Sequence, residues 1–336
     1  MNCSSEAVKG KTLNNTPEIE ILLATYNGER FLREQIDSIF AQDYGNWRVL
    51  ARDDGSTDST VSILEEYAAR FPDRFRVMPA SAGTGHPKWN FLRLMEASTS
   101  EYVCFADQDD VWLPQKLTLT MQAMKRLELR HGKDVPLLAF TDLRVVDERL
   151  ETIADSFWKF HCLNPSQVNR FARLIGQNVV TGSTAMANRR LVELALRMPD
   201  EADMHDSWVA LIASAFGAAE SVPMQTVLYR QHGGNVLGAI ERQNQLETTQ
   251  PYNNKEQQRR LQLMEQQAKG MLRAYGADLS PSKLRLLQSL VRCRQSSHRL
   301  VRVGTAIRYG LYVPWVQNNL FMLRYLWNMK TAKSRT

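Results

Sequence analysis

The sequence predicts an α/β protein: a mostly parallel β-sheet with helices on both faces, continued at its C-terminal end by basic helices. Three observations carry this expectation. From Glu18 to about Ala106 short apolar runs alternate with amphipathic stretches, the pattern of strands feeding helices through short connections. Hydrophobic residues make up 43% and charged residues 23% of the 336, enough to bury a substantial core. Charge is also unevenly spread. From Lys255 onward 16 Lys and Arg stand against three acidic residues, a net +13, whereas the preceding 254 residues carry 26 basic and 33 acidic side chains, a net −7.

Residues 1–17 are polar and rich in Asn, Ser and Thr, and read as a loose arm. Residues 19–24 form a buried strand, and 30–42 a helix with Phe31, Leu32, Ile36, Ile39 and Phe40 on one face. A second strand covers 47–51, and a second helix 59–71 is opened by the capping residues of GSTDST. A short strand at 75–78, a helix at 88–97 and a strand at 102–106 follow; Pro114 then opens a helix to about Arg130. Beyond a strand at 137–140 the chain is less regular to about Arg170. Helices are expected near 188–197 and 206–215, and an extended segment at 222–230. After His232 the Gly, Asn and Gln content predicts a loop, and from Lys255 the pattern is helical.

Composition excludes a wholly disordered, collagen-like or disulfide-scaffold chain. The four cysteines, Cys3, Cys104, Cys162 and Cys293, lie far apart with no CxxC pair, so neither a zinc ribbon nor a redox motif is supported. No uninterrupted apolar run reaches the ~18 residues of a spanning helix, and the N-terminus lacks a basic-then-apolar signal pattern. A cytoplasmic protein is expected.

Ligands of parallel sheets bind beyond the carboxyl ends of the strands, and the polar residues cluster there. The first strand runs into Thr25-Tyr26-Asn27-Gly28-Glu29 and the second into Asp53-Asp54-Gly55-Ser56-Thr57-Asp58. Asp53 or Asp54 can accept from a base N–H or a sugar hydroxyl, although such residues also serve plain turns and helix caps. The fourth strand ends in Asp107-Gln108-Asp109-Asp110. Three carboxylates within four residues repel unless a cation lies between them, and Mg²⁺ or Mn²⁺ takes carboxylate oxygens together with phosphate.

Six segments in order, LLATYNGERFLREQIDSIFAQ, VLARDDGSTDST, FADQDDVW, TGSTAMANR, HDSWVALIASAFG and YRQHGGN, resemble a family 2 glycosyltransferase of the GT-A fold. They are similar to bacterial rhamnosyltransferases of surface polysaccharide biosynthesis. The resemblance covers about Glu18 to Asn235. It implies a nucleotide-sugar donor, with Thr25, Tyr26, Glu29 and Asp53 or Asp54 around the base and ribose, and Asp107 near the ribose. It implies Asp109 on a divalent ion, Mg²⁺ or Mn²⁺, that bridges the diphosphate, with His232 as a further metal or diphosphate contact. Arg230 is suited to pair with phosphate. Asp206 matches the family's catalytic carboxylate, which deprotonates the acceptor hydroxyl. Its alternative role is a helix cap. Residues 81–86, Ser-Ala-Gly-Thr-Gly-His, replace the family's usual Asn-x-Gly stretch, leaving Lys88 and Asn90 as possible donor contacts and His86 as a surface residue.

The domain plan is therefore an arm at 1–17, a GT-A domain at 18–235, and a loop with a basic helical extension at 236–336. Tyr312, Trp315, Phe321, Tyr325 and Trp327 among the tail's cations suit an anionic membrane surface, with a bundle packed on the catalytic domain as the alternative. The implied reaction is inverting transfer of rhamnose from dTDP-rhamnose to a lipid-linked saccharide at the inner face of the cell membrane. A UDP-hexose donor is the runner-up. A nucleic-acid-binding protein that uses the basic tail is the non-enzymatic alternative, but it leaves residues 107–110 without a purpose, so no nucleic acid partner is expected. The oligomeric state stays open.

Overall fold

Strand β1 (Ile19–Thr25) is buried along its whole length, as a strand covered on both sheet faces must be. Its one charged residue, Glu20, faces Arg48 in the paired register and accepts a hydrogen bond from Arg48 Nε at 2.8 Å. In this computed structural model, which describes residues 16–79, 82–233, 254–309 and 323–328, β1 lies between β2 (Trp47–Asp53) and β4 (Tyr102–Asp107), both parallel to it. β3 (Phe75–Val77) adds in parallel beyond β2. The crossovers are α1 (Leu32–Phe40), α2 (Thr60–Arg70) and α3 (Pro87–Ala97). Because Thr25 pairs with Asp53 and Ala24 with Asp107, the polar ends of all three strands emerge at one sheet edge.

The other half of the sheet mixes directions. β5 (Val111–Trp112) and α4 (Lys116–His131) lead into β6 (Leu137–Val146), which β7 (Thr152–Ala154) joins at its far end. Short helices α5 (Phe157–Phe160) and α6 (Phe171–Leu174) precede β8 (Ala185–Asn188), which lies antiparallel between β4 and β6. After α7 (Arg189–Ala195) and α8 (His205–Phe216), β9 (Ala218–Arg230) runs parallel to β6 and takes β5 on its other edge, giving the order β3-β2-β1-β4-β8-β6-β9-β5.

The strand expected at 137–140 continues to Val146 through polar residues with buried partners. Thr141 shares a 2.6 Å hydroxyl contact with Thr226, and buried Asp142 accepts from Ser156 Oγ, Trp158 N and Gln225 Nε2. Register shifts at Thr141/Asp142 and Asp142/Arg144 absorb the break in apolar alternation. β5, β7 and β8 are too short to register as periodic patterns.

The extension consists of α9 (Asn254–Tyr275), α10 (Pro281–Gln295), α11 (Arg299–Tyr309) and a helical turn at 323–328. Leu261, Met264, Met271, Leu287, Leu290 and Leu326 belong to the same hydrophobic cluster as Trp208 and Leu211 of α8, so these helices share a core with the sheet-bearing part of the chain. Cys104, Cys162 and Cys293 carry free thiols. Among the described residues no helix is long and apolar enough to cross a membrane. Residues 1–15 of the expected arm, the loop from 236 to 253, and Tyr312, Trp315 and Phe321 lie outside the described residues.

Candidate functional site

The first two strand ends are laced together by their turns. Thr25 Oγ1 donates to Asp53 Oδ1 at 2.9 Å, and the Asp53 carboxylate also takes the backbone N–H groups of Gly55 and Ser56. Gly55 holds φ +90°, where a side chain would be strained. Asn27 Oδ1 accepts from Thr57 N, Glu29 Oε2 from Ser59 N, and Asp58 Oδ2 from Glu29 N. Tyr26 leaves its ring exposed at the rim. Thr25, Tyr26, Glu29 and Asp53 thus share one face.

Asp54 points elsewhere. It is buried and takes bonds from Arg52 Nη1, Thr84 N, Thr84 Oγ1 and Gly85 N at 2.6–3.0 Å. Burial alone would raise its pKa, yet the bonds from Thr84 and Arg52 hold it below the usual carboxylate range. The carboxylate organises residues 82–85, where a side chain on Gly83 would meet the Asp54 carbonyl at 2.4 Å. The other expectations for this stretch change as well. Lys88 Nζ donates to the carbonyls of Asp200 and Ala202, Asn90 is buried against Arg52 and the Thr25 carbonyl, and half-buried His86 caps α3 by accepting from Lys88 N.

At the end of β4 the acidic loop crowds its charges. Burial, with Asp109 and Asp206 nearby, pushes half-buried Asp107 up to about 7. Fully buried Asp110 is also raised well above the usual carboxylate range by burial, Asp109 and Asp107, and its Oδ2 has no hydrogen-bond partner. Asp109 Oδ2 lies 2.8 Å from His232 Nε2. Gln108, between the two outer carboxylates, accepts from Tyr26 N at 2.7 Å and donates to Tyr26 O at 2.8 Å, clasping this loop to the turn after β1. Among the described residues no three His, Cys, Asp or Glu side chains converge into a closed metal cage. The donor set still fits Mg²⁺ or Mn²⁺, ions commonly held by one or two protein ligands and completed by substrate phosphates and water. Self-repulsion of the carboxylates favours such a charge.

Arg230 does not present its guanidinium to the cleft. At 2% exposure it donates to the carbonyls of Asp109 (2.9 Å) and Glu148 (2.6 Å) and to Glu34 Oε2 (2.5 Å), with Phe31 beneath it at 4.5 Å. The expectation of a phosphate contact gives way to a brace under the Asp109 loop, because every face of the fork is occupied from within.

On the opposite wall α8 carries Asp206 in its first turn, close enough to Asp107 to raise it. His205, before it, is buried, with its ring stacked 3.8 Å from Phe91 and 5.3 Å from Phe105. Burial pushes its pKa down to about 3, so the imidazole is neutral, and neither nitrogen has a hydrogen-bond partner. Fully buried Ser183 lies against Asp110. Sequence reasoning missed Gln108, His205, Glu34 and Glu148. Gln108 was visible inside its motif; Glu34, 196 residues from Arg230, had no local signal.

Comparison with known proteins bears on family and fold. Residues 20–192 match the model of Glycosyl transferase family 2. The dTDP-rhamnosyl transferase RfbG of Shigella flexneri is 37% identical over 98 residues, covering 28% of this chain and 34% of that protein. The putative glycosyltransferase EpsE of Bacillus subtilis is 32% identical over 138 residues, 41% of this chain and 49% of that one. The chain thus spans between a third and a half of these curated relatives. Among solved structures, S. aureus TarS 1-349 in complex with UDP-GlcNAc aligns over 92% of this chain and 90% of its own at TM-score 0.57 and 13% identity. The mannosyltransferase PcManGT from Pyrobaculum calidifontis, in complex with GDP-Man and Mn²⁺, aligns over 93% and 86% at TM-score 0.50 and 18% identity. At these identities the likeness is one of fold, the GT-A fold. Because the family model covers more than half of its residues, the chain belongs to Glycosyl transferase family 2.

Proposed function

We propose that this chain transfers a sugar, with inversion, from a nucleotide-sugar donor to a hydroxyl of a saccharide acceptor, and that Asp206 is the base. The observation that carries this reading is the nearness of two carboxylates: Asp206, in the first turn of α8, is close enough to Asp107, at the end of β4, for its charge to raise Asp107. Thr25, Tyr26, Glu29 and Asp53 bind the base and ribose, and Asp107 lies beside the ribose. Asp54 and Arg230 act from behind as positioning residues, one on residues 82–85 and one on the Asp109 loop.

Asp206 takes the proton of the acceptor hydroxyl as its oxygen attacks the anomeric carbon. The bond to the nucleoside diphosphate breaks on the opposite face, so a β-linked donor yields an α-glycoside. Asp109 and His232 would hold a divalent ion, Mg²⁺ or Mn²⁺, which supplies positive charge to the departing diphosphate. The chain's own contribution is to aim these side chains: Phe31 and Arg230 support His232 and the loop that carries Asp109.

dTDP-rhamnose is the favoured donor, supported by the rhamnosyl transferase among the relatives. The acceptor is read as a lipid-linked saccharide of surface polysaccharide or lipopolysaccharide synthesis, met at the cytoplasmic face of the cell membrane. Asp206→Asn keeps the shape and removes the basicity. Turnover is expected to fall about 10²-fold or more while the donor still protects against thermal unfolding. Near-normal turnover would leave Asp206 only as a first-turn charge facing the dipole of α8, whose cap position is held by Met204. Stronger protection by UDP-glucose or UDP-galactose than by dTDP-rhamnose would replace the donor and leave the mechanism intact.

A further inference from the structure

The structure sorts the basic side chains among the described residues of the extension into two groups. Arg260 donates to the Gly176 carbonyl, Lys269 and Arg294 both grip Glu265, Arg273 pairs with Glu201, and Lys283 reaches the Ala215 carbonyl. Arg302, 2% exposed, donates to the carbonyls of Ser296, Leu326 and Trp327. These side chains tie the helices together and onto the catalytic half. Arg259, Arg285, Arg292, Arg299, Arg308 and Arg324 are instead exposed, and no acidic partner pairs with them among the described residues.

The same region carries the exposed apolar surface. Of the eight large hydrophobic side chains exposed among the described residues, four lie here: Leu300 at 75%, Ile307 at 53%, Val301 at 45% and Trp327 at 42%. Leu300, Gly304 and Ile307 recur at helical spacing along the outer side of α11, while Arg302, Thr305 and Ala306 face inward. Arg299 sits over the Trp327 ring at 5.7 Å, joining α11 to the turn at 323–328. Exposed hydrophobics scattered singly need no explanation; a stripe flanked by unpaired arginines is the chemistry of a membrane interface.

We propose that the outer face of α11 and the adjoining turn docks this protein on an anionic lipid bilayer, with Leu300, Ile307 and Trp327 entering the headgroup boundary and Arg299, Arg308 and Arg324 meeting lipid phosphates. A second copy of the chain fits poorly, because a two-fold contact would set unpaired arginines against one another. A nucleic acid would leave the Leu300–Ile307 stripe without a partner. The placement deepens the proposed reading and rests on it for its purpose, a lipid-linked acceptor. Gln267 of α9 lies 3.3 Å from Ser207, the residue after Asp206, and Tyr275 packs 6.1 Å from Trp208. The extension is thus built onto the acceptor-side helix.

The test is co-sedimentation of the full chain with phosphatidylglycerol-containing vesicles and with phosphatidylcholine vesicles, at low and high salt. Wild type should prefer the anionic vesicles and keep part of its binding at high salt. Leu300→Ser with Ile307→Ser should lower partitioning about tenfold or more and leave its salt dependence. Arg299→Gln, Arg308→Gln and Arg324→Gln together should cost about fivefold per arginine and flatten that dependence. Wild-type binding by the Ser pair, complete loss of wild-type binding at high salt, or equal binding to a DNA oligonucleotide would overturn the proposal. Sugar transfer to a soluble acceptor should stay unchanged in all variants. Vesicle binding without any transfer activity in wild type would refute the catalytic reading alone.

Discussion

Gly182→Ala tests the geometry of the acceptor wall most directly. Gly182 opens the 3₁₀ turn Gly182–Thr184, and a Cβ there would lie 2.6 Å from His205 Nε2, 3.3 Å from His205 Cε1 and 3.5 Å from Asp206 Cβ. Ordinary contact needs a retreat of roughly 0.8 Å, in a packed interior that yields reluctantly. His205 has nowhere to go, since its ring is stacked on Phe91 at 3.8 Å and backed by Phe105. The strain is therefore shared between the turn and the head of α8. Overpacking of this kind costs about 1–3 kcal/mol of stability. Moving the Asp206 carboxylate by ~1 Å lowers turnover about 10²-fold. The assay is initial transfer rates at saturating donor, beside a titration of nucleoside diphosphate binding and a thermal melt. Turnover should fall and the melting point drop by a few degrees, while nucleotide affinity holds because the proposed nucleotide and metal contacts Thr25, Asp53 and Asp109 are untouched. Adding His205→Ala removes the obstructing ring, so the double variant should regain part of the lost turnover. A single variant with wild-type turnover and melting point would show that Gly182 does not set the position of His205 and Asp206.

Asp109→Ala should abolish metal-stimulated transfer while the fold persists, and excess EDTA should do the same to wild type; full activity in either case removes the ion from the mechanism. His205 has a depressed pKa, so the unfolded chain protonates first, and the stability from the neutral ring is complete above about pH 6.5 and drains away as pH falls toward 3. His205→Gln should therefore show a shallower loss of melting point between pH 6.5 and 4, and superimposable profiles would count against the buried neutral ring. Arg230→Lys keeps the charge but cannot span Glu34, Glu148 and the Asp109 carbonyl together. It should raise the Mn²⁺ concentration needed for half-maximal rate, whereas a raised donor KM with an unchanged metal titration would make Arg230 a phosphate contact after all.

The alternation of strands and helices was legible along the chain because both periods are local, and so was the edge where the polar strand ends gather. In a parallel sheet the carboxyl ends of the strands meet on one side, so polar residues that close the apolar runs at Thr25, Asp53 and Asp107 must gather there. The extension was legible as helical and basic for the same reason. What the sequence left open depended on partners far away in the chain. Asp53 and Asp54 are adjacent and chemically identical, yet the pleat sends one to the ligand edge and the other onto Thr84 and Gly85. Arg230 looked like a phosphate ligand until Glu34 and the Glu148 carbonyl closed around it. His205 became a neutral core ring only when Phe91 and Phe105 enclosed it. In the tail, charge could be counted from composition, but packing decided that Arg302 turns inward while Leu300 and Ile307 face out. Local pattern determined which elements form and where their polar ends lie. The contacts between those elements, set by burial and the need to satisfy every buried charge, decided which polar residues face the cleft and which hold it in place.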